Sequence, residues 1–87
     1  MAELHLPPTL PPLFRELPRR IDLDAATVEE AIERLDERWP GLRDRLCEPG
    51  PLLRPHINVF VDRERAALDT ALAAGSRVDV IAAISGG

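Results

Sequence analysis

The chain closes on Ser85-Gly86-Gly87. Residues without a Cβ let a backbone enter a channel too narrow for side chains, so two in series make a slim tether. Its reactive group is the α-carboxylate of Gly87. A carboxylate is a poor electrophile until one of its oxygens becomes a leaving group. Adenylation by ATP achieves this, and a sulfur nucleophile attacking the acyl-adenylate would leave a C-terminal thiocarboxylate. In that chemistry Gly87 carries the reacting carbon, Gly86 grants access to it, and the protein is both substrate and carrier. On composition alone an inert, frayed end fits a terminal glycine pair equally well.

The remaining reactive residues point nowhere else. Cys47 lies beside Glu48 and Pro49; a neighbouring carboxylate disfavours the thiolate, which assigns the cysteine a structural role, and a single cysteine forms no internal disulfide. His5 and His56 lack the spaced partners of a metal site, so no metal is expected, and both read as surface or strand-edge residues. All 11 basic residues are arginine, which excludes lysine Schiff-base chemistry and a lysine phosphate ligand. There is no glycine-rich phosphate loop, so no bound cofactor is expected and any ATP must be held by a partner.

The 87 residues carry a net charge of -4, with 45% apolar and 30% charged residues and only three aromatics, Phe14, Trp39 and Phe60. This predicts one domain over residues 1–87 with a single aliphatic core and no cleft between domains. Scattered arginines and an acidic balance argue against nucleic acid as a partner. No apolar run approaches the roughly 20 residues of a membrane span, and no leader opens the chain, which leads to the expectation of a cytoplasmic protein.

The hydrophobic periods locate the elements that must position the tail. Glu3-Leu4-His5-Leu6 alternates as a short strand before a proline-rich loop, and Arg20-Ile21-Asp22-Leu23 alternates as a second. The two are set to pair as a hairpin with a long connection. Thr27-Val28-Glu29-Glu30 has the form of a capping box. After it Val28, Ala31, Ile32, Leu35 and Trp39 form one helical stripe, stopped by Pro40-Gly41. The opposite face, with Glu29, Glu30, Glu33, Asp36 and Glu37, reads as solvated, and Arg34 and Arg38 are set for i,i+4 pairs. Leu42 and Leu46 suggest a further helical turn, followed by a loop marked by Pro49, Gly50 and Pro51.

Ile57-Asn58-Val59-Phe60-Val61 then reads as a strand with Ile57, Val59 and Val61 inward. Arg77 to Ile84 reads as the last strand, Val78 and Val80 inward, Asp79 and Ile81 outward. Phe60 and Ile81 thus share an outer face, where a large aromatic calls for an explanation. The alanine-rich stretch from Glu64 to Ala74 has helical propensity.

Strand, strand, capped helix, strand and terminal strand running into Gly-Gly is the order of a β-grasp, ubiquitin-like fold. Three stretches, Leu53-Arg54-Pro55-His56-Ile57-Asn58-Val59-Phe60-Val61, Leu68 to Val78, and Ala83-Ile84-Ser85-Gly86-Gly87, together resemble the MoaD/ThiS family of ubiquitin-like sulfur carriers. Trp39-Pro40-Gly41-Leu42-Arg43-Asp44-Arg45-Leu46 is similar to its MoaD-like branch.

The resemblance implies an α+β fold, a mixed sheet packed on one main helix, with a flexible tail over 83–87. It implies that Gly87 is activated by an adenylating enzyme of the ubiquitin-activating type. Sulfur then comes from a sulfurtransferase or other donor and passes to an acceptor synthase in molybdopterin, thiamine or cysteine-type biosynthesis. The sheet face with Phe60 and Ile81, together with Ala83 and Ser85 on the tail, is the implied partner interface. Such a protein is a carrier and not an enzyme alone, although the molybdopterin branch inserts its tail into a synthase as the small subunit. A covalent protein modifier and a noncovalent interaction module are the alternatives.

Two features depart from the family pattern. Ala82 and Ala83 stand where proline is common, and Asp62-Arg63 replaces a glycine-containing turn. The resemblance also implies a short strand or irregular segment between Ala66 and Leu68, against the helical propensity there.

Overall fold

The computed structural model describes residues 1–7, 17–50 and 52–82. Its elements, in chain order, are β1 (Ala2–His5), β2 (Arg20–Leu23), α1 (Val28–Arg38), α2 (Leu42–Leu46), β3 (Cys47–Glu48), β4 (Leu52–Leu53), β5 (Ile57–Val61), β6 (Glu64–Ala66) and β7 (Arg77–Ala82). Five strands form one sheet in the order β2-β1-β7-β5-β6, and β3 and β4 form a separate hairpin. Within the large sheet β1 and β7 run parallel and the other neighbours antiparallel. This mixed sheet, with α1 across one face, is the β-grasp arrangement.

Strand period decides which side chains meet the helix. Leu4, Leu23, Ile57, Val59, Val78 and Val80 turn inward and pack with Val28, Ala31, Ile32 and Leu35 of α1 in one cluster. Val61, expected inward, is only half-buried because it ends its strand. Trp39 closes α1 as its C-cap and lies half-buried against the core.

The start of α1 shows how local chemistry overrides propensity. The first backbone N–H groups of a helix lack intrahelical partners. Here Val28 N–H donates to the Thr70 carbonyl at 3.1 Å and Glu29 N–H to the Leu68 carbonyl at 2.9 Å. Glu30 N–H donates to Thr27 Oγ1 at 3.2 Å. The Glu30 carboxylate reaches back to the N–H of Ala26 at 3.0 Å, one residue before the cap that the ordinary box would use. Two carbonyls of segment 67–76, those of Leu68 and Thr70, thus serve α1 and not a helix of their own. The segment bends instead, with Thr70 Oγ1 accepting from Ala67 N–H at 2.9 Å and Ser76 Oγ from Ala73 N–H at 2.9 Å. The stretch from Glu64 is thus a strand followed by turns.

Two expectations about the polar face of α1 are corrected. Asp36 is not simply solvated: its Oδ1 accepts from the N–H groups of Gly41 and Arg43, each at 3.0 Å, and so caps the turn into α2. Gly41 supplies the left-handed φ of 97° that this tight connection needs. Arg34 pairs with Glu30 at 3.8 Å. The residue four before Arg38 is Arg34 itself, and Arg38 forms no ion pair among the described residues. The stretch after α2 is also more ordered than a plain loop, since Cys47 pairs with Leu53 and Glu48 with Leu52 on either side of the turn.

Candidate functional site

The strand that leads to the tail is the middle strand of the sheet. β7 is hydrogen-bonded on one side to β1 and on the other to β5, with Val78 and Val80 locked into the core. Its last described residue, Ala82, lies opposite Ile57, so the ladder holds to the point where the tail begins. Ala83, Ser85, Gly86 and Gly87 lie outside the described residues.

The outer face next to this exit holds the two predicted interface residues. Phe60 lies opposite Asp79 and Ile81 opposite Asn58, so Phe60 and Ile81 are diagonal neighbours across β5 and β7, about 7–8 Å apart. Ile81 is 48% exposed. Phe60 is half-buried, and the Arg65 guanidinium lies 5.8 Å from its ring centroid, a cation–π contact. Arg65, from the adjacent strand, thus lies over part of the ring.

Beyond this pair the face becomes charged. One row crosses all five strands, from Arg20 through His5, Asp79 and Phe60 to Arg65. Glu3 takes a hydrogen bond from His5 and an ion pair from Arg20 at 3.0 Å. The His5 hydrogen bond, with Arg20 beside it, holds the Glu3 carboxyl below the usual carboxylate range. Arg77 forks onto both Asp79 oxygens at 3.1 and 3.2 Å. His5 is accordingly a paired residue of an inner strand, not an edge residue, whereas His56 is exposed in the turn before β5. The charged row was missed in sequence; the alternation of Glu3/His5, Arg20/Asp22 and Arg77/Asp79 was its signal.

The turn that replaces the glycine pattern is built from Asp62 and Arg63, both at positive φ, 50° and 74°. Val61 pairs with Glu64 across it, which makes it a two-residue hairpin turn of the primed kind. Asp62 suits the position because its Oδ1 accepts from Arg77 N–H at 2.9 Å while its own N–H donates to the Arg77 carbonyl at 2.8 Å. This ties the hairpin to the first residue of β7.

Cys47 is 6% exposed. Burial, more than any carboxylate, pushes its thiol pKa up, with Arg43 opposing; a protonated core thiol is inert. Among the described residues no cluster of three His, Cys, Asp or Glu is placed to hold a metal. No helix among them is long and apolar enough to cross a membrane.

Comparison with known proteins converges on this architecture. Residues 13–87 match the model of the ThiS family. Small archaeal modifier protein 1 of Haloferax volcanii is 39% identical over 69 residues, covering 78% of this chain and 79% of that protein. The crystal structure of that modifier superposes with a TM-score of 0.76 at 35% identity, covering 99% of this chain and 98% of that one. A chain in the crystal structure of the BexX/CysO complex of Amycolatopsis orientalis has the same fold, with a TM-score of 0.87 at 24% identity over the whole of both chains. A β-grasp sheet whose central strand leads into the terminal diglycine, and a family match that extends through Gly87, place this chain in the ThiS family of ubiquitin-like sulfur carriers and modifiers.

Proposed function

We propose that this protein is a sulfur carrier whose Gly87 carboxylate is the working group. The carboxylate oxygen attacks the α-phosphorus of ATP on a partner enzyme and expels pyrophosphate. Hydrosulfide then attacks the acyl carbon and expels AMP, leaving a C–S bond where a C–O bond was. A sulfurtransferase persulfide attacking in its place forms an acyl disulfide, whose S–S bond a thiol reduces to release the thiocarboxylate. The thiocarboxylate donates its sulfur to an acceptor synthase in a cofactor or amino-acid biosynthesis. The protein acts as cosubstrate, ATP stays with the partner, and the setting is the cytoplasm. The observation that carries the reading is the family match running through Gly87; Gly86 gives the tail the slimness that entry into an adenylation site requires.

The adenylating enzyme docks on the outer face at Phe60 and Ile81, with Ala83 and Ser85 continuing the contact along the tail. An apolar pair bordered by Asp79, Arg77 and Arg65 suits such docking: the pair contributes affinity, and the charges set register and partner choice.

A second reading is favoured by the Haloferax volcanii relative, which is named as a modifier protein. In that case the adenylate is captured by the ε-amine of a lysine on a target protein, forming an amide. Intact mass spectrometry separates the readings. The protein is incubated with ATP, a sulfur donor and the adenylating enzyme from the same cells. A sulfur-for-oxygen mass gain mapped to Gly87 supports the carrier, and recovery of amide-linked adducts supports the modifier. Deleting Gly87 abolishes both; activity that survives the deletion would overturn them in favour of a noncovalent module.

A further inference from the structure

The far side of the sheet holds a feature that the tail chemistry does not use. β6 is a terminal strand, and the two-residue turn before it makes Val61 and Glu64 the hydrogen-bonded pair. Alternation along an antiparallel ladder then makes Phe60 and Arg65 the next, non-hydrogen-bonded pair. The N–H and C=O of Arg65 consequently point away from β5, to the open edge. Among the described residues neither has a hydrogen-bond partner.

A groove of about 660 Å³ opens beside that edge, between β4 and the chain leaving β6. Leu52, Leu53, Ala66 and Leu68 supply its apolar lining. Leu52 is 58% exposed, an unusual display for a leucine in a chain with so small a core. The polar rim is acidic. Glu29 is held at 3.8 Å by Arg43, whereas Glu48 and Asp69 form no ion pair among the described residues.

We propose that this groove receives an extended, basic segment of a partner protein, which adds to β6 as a sixth strand. The outward amide and carbonyl of Arg65 supply main-chain pairing, the groove takes alternate apolar side chains, and Glu48 and Asp69 select arginine or lysine between them. A free strand edge beside an apolar slot with an anionic rim matches that chemistry in geometry, polarity and sign. The site lies at the opposite side of β5 from Ile81, so it can be occupied while the outer face is engaged.

The probe is the acetylated, amidated peptide Arg-Val-Arg-Leu-Arg-Val-Arg, titrated into the isotopically labelled full chain. Amide shifts are expected to concentrate at Leu52–Leu53 and between Arg65 and Asp69. The double variant Glu48→Gln, Asp69→Asn weakens binding by about tenfold. Arg65→Pro removes the outward N–H together with the guanidinium and abolishes the shifts, while Arg65→Ala, which loses the guanidinium but keeps the N–H, binds as wild type does. The dispersion of the remaining amides shows that each variant is folded. Shifts centred on Glu33 and Glu37 of α1, no binding up to about 1 mM, or equal effects of proline and alanine at position 65 would overturn the proposal. So would self-association in the absence of peptide that Arg65→Pro prevents, since the edge would then belong to a second copy.

Discussion

Two positions carry opposite lessons about what a single side chain contributes. Arg63 holds a left-handed φ of 74° at which a Cβ is unfavourable by roughly 1–2 kcal/mol, and it uses its side chain for no described hydrogen bond. Arg63→Gly should therefore raise unfolding stability by about 0.5–1 kcal/mol in urea melts, the relief of strain exceeding the cost of glycine's greater freedom in the unfolded chain. Its neighbour Asp62 shares the strained region but secures Arg77, and the same replacement there should destabilise. Glu3 shows a pH effect of definite sign. Its carboxyl titrates lower in the folded protein than in the unfolded chain, so its contribution is present above its ordinary value and is lost as pH falls through the folded one. Melting temperatures of Glu3→Gln should thus lie below wild type by a constant amount near neutrality and converge with it as pH falls through the carboxyl's folded pKa, giving a shallower acid limb. Alternation puts Glu3 and His5 on one face of a strand, but the sequence alone leaves them unpaired and takes His5 for a surface or edge residue. The link of Glu3 to Arg20 and the neighbourhood of Asp79 required the register of three strands, which no local pattern contains.

Among the elements, α1 was the most legible, since its cap, stripe and stop are all local signals. Thr27→Ala removes the acceptor for Glu30 N–H and should cost about 1 kcal/mol, measured as a shift in urea midpoint at unchanged slope. The alanine-rich segment after β6 was the least legible from the residues alone. Its composition favours helix, and what defeats that preference is the demand of α1 for carbonyl acceptors from Leu68 and Thr70, a tertiary requirement. Family resemblance supplied the correct reading there because it carries tertiary information that propensity lacks. The small hairpin of β3 and β4 escaped for another reason: strands of two residues are too short to display a period. The apolar exposure of Leu52 became visible only once its partner strand was placed.

For the molecule as a whole, the sheet divides its surface into separate working regions. One face is sealed by α1, the other presents Phe60 and Ile81 beside the tail exit, and the β6 edge opens into the groove. If the outer face docks the adenylating enzyme, Phe60→Ala and Ile81→Asp each reduce affinity by about tenfold or more, read by calorimetry, while circular dichroism and the melt stay near wild type because both side chains point away from the core. The central place of β7 has a further, kinetic consequence. Its parallel partner β1 is separated from it by most of the chain, with Glu3 opposite Arg77, so the sheet closes only after a long loop does. Such non-local closure is slow, on the order of milliseconds to seconds. The amides of Val78 and Val80, protected on both sides, should exchange with deuterium only through global opening. A partner that pulls on the end of the chain thus pulls against the cooperative unfolding of the entire sheet, and the β7 anchor makes the tail a handle that transmits force without peeling.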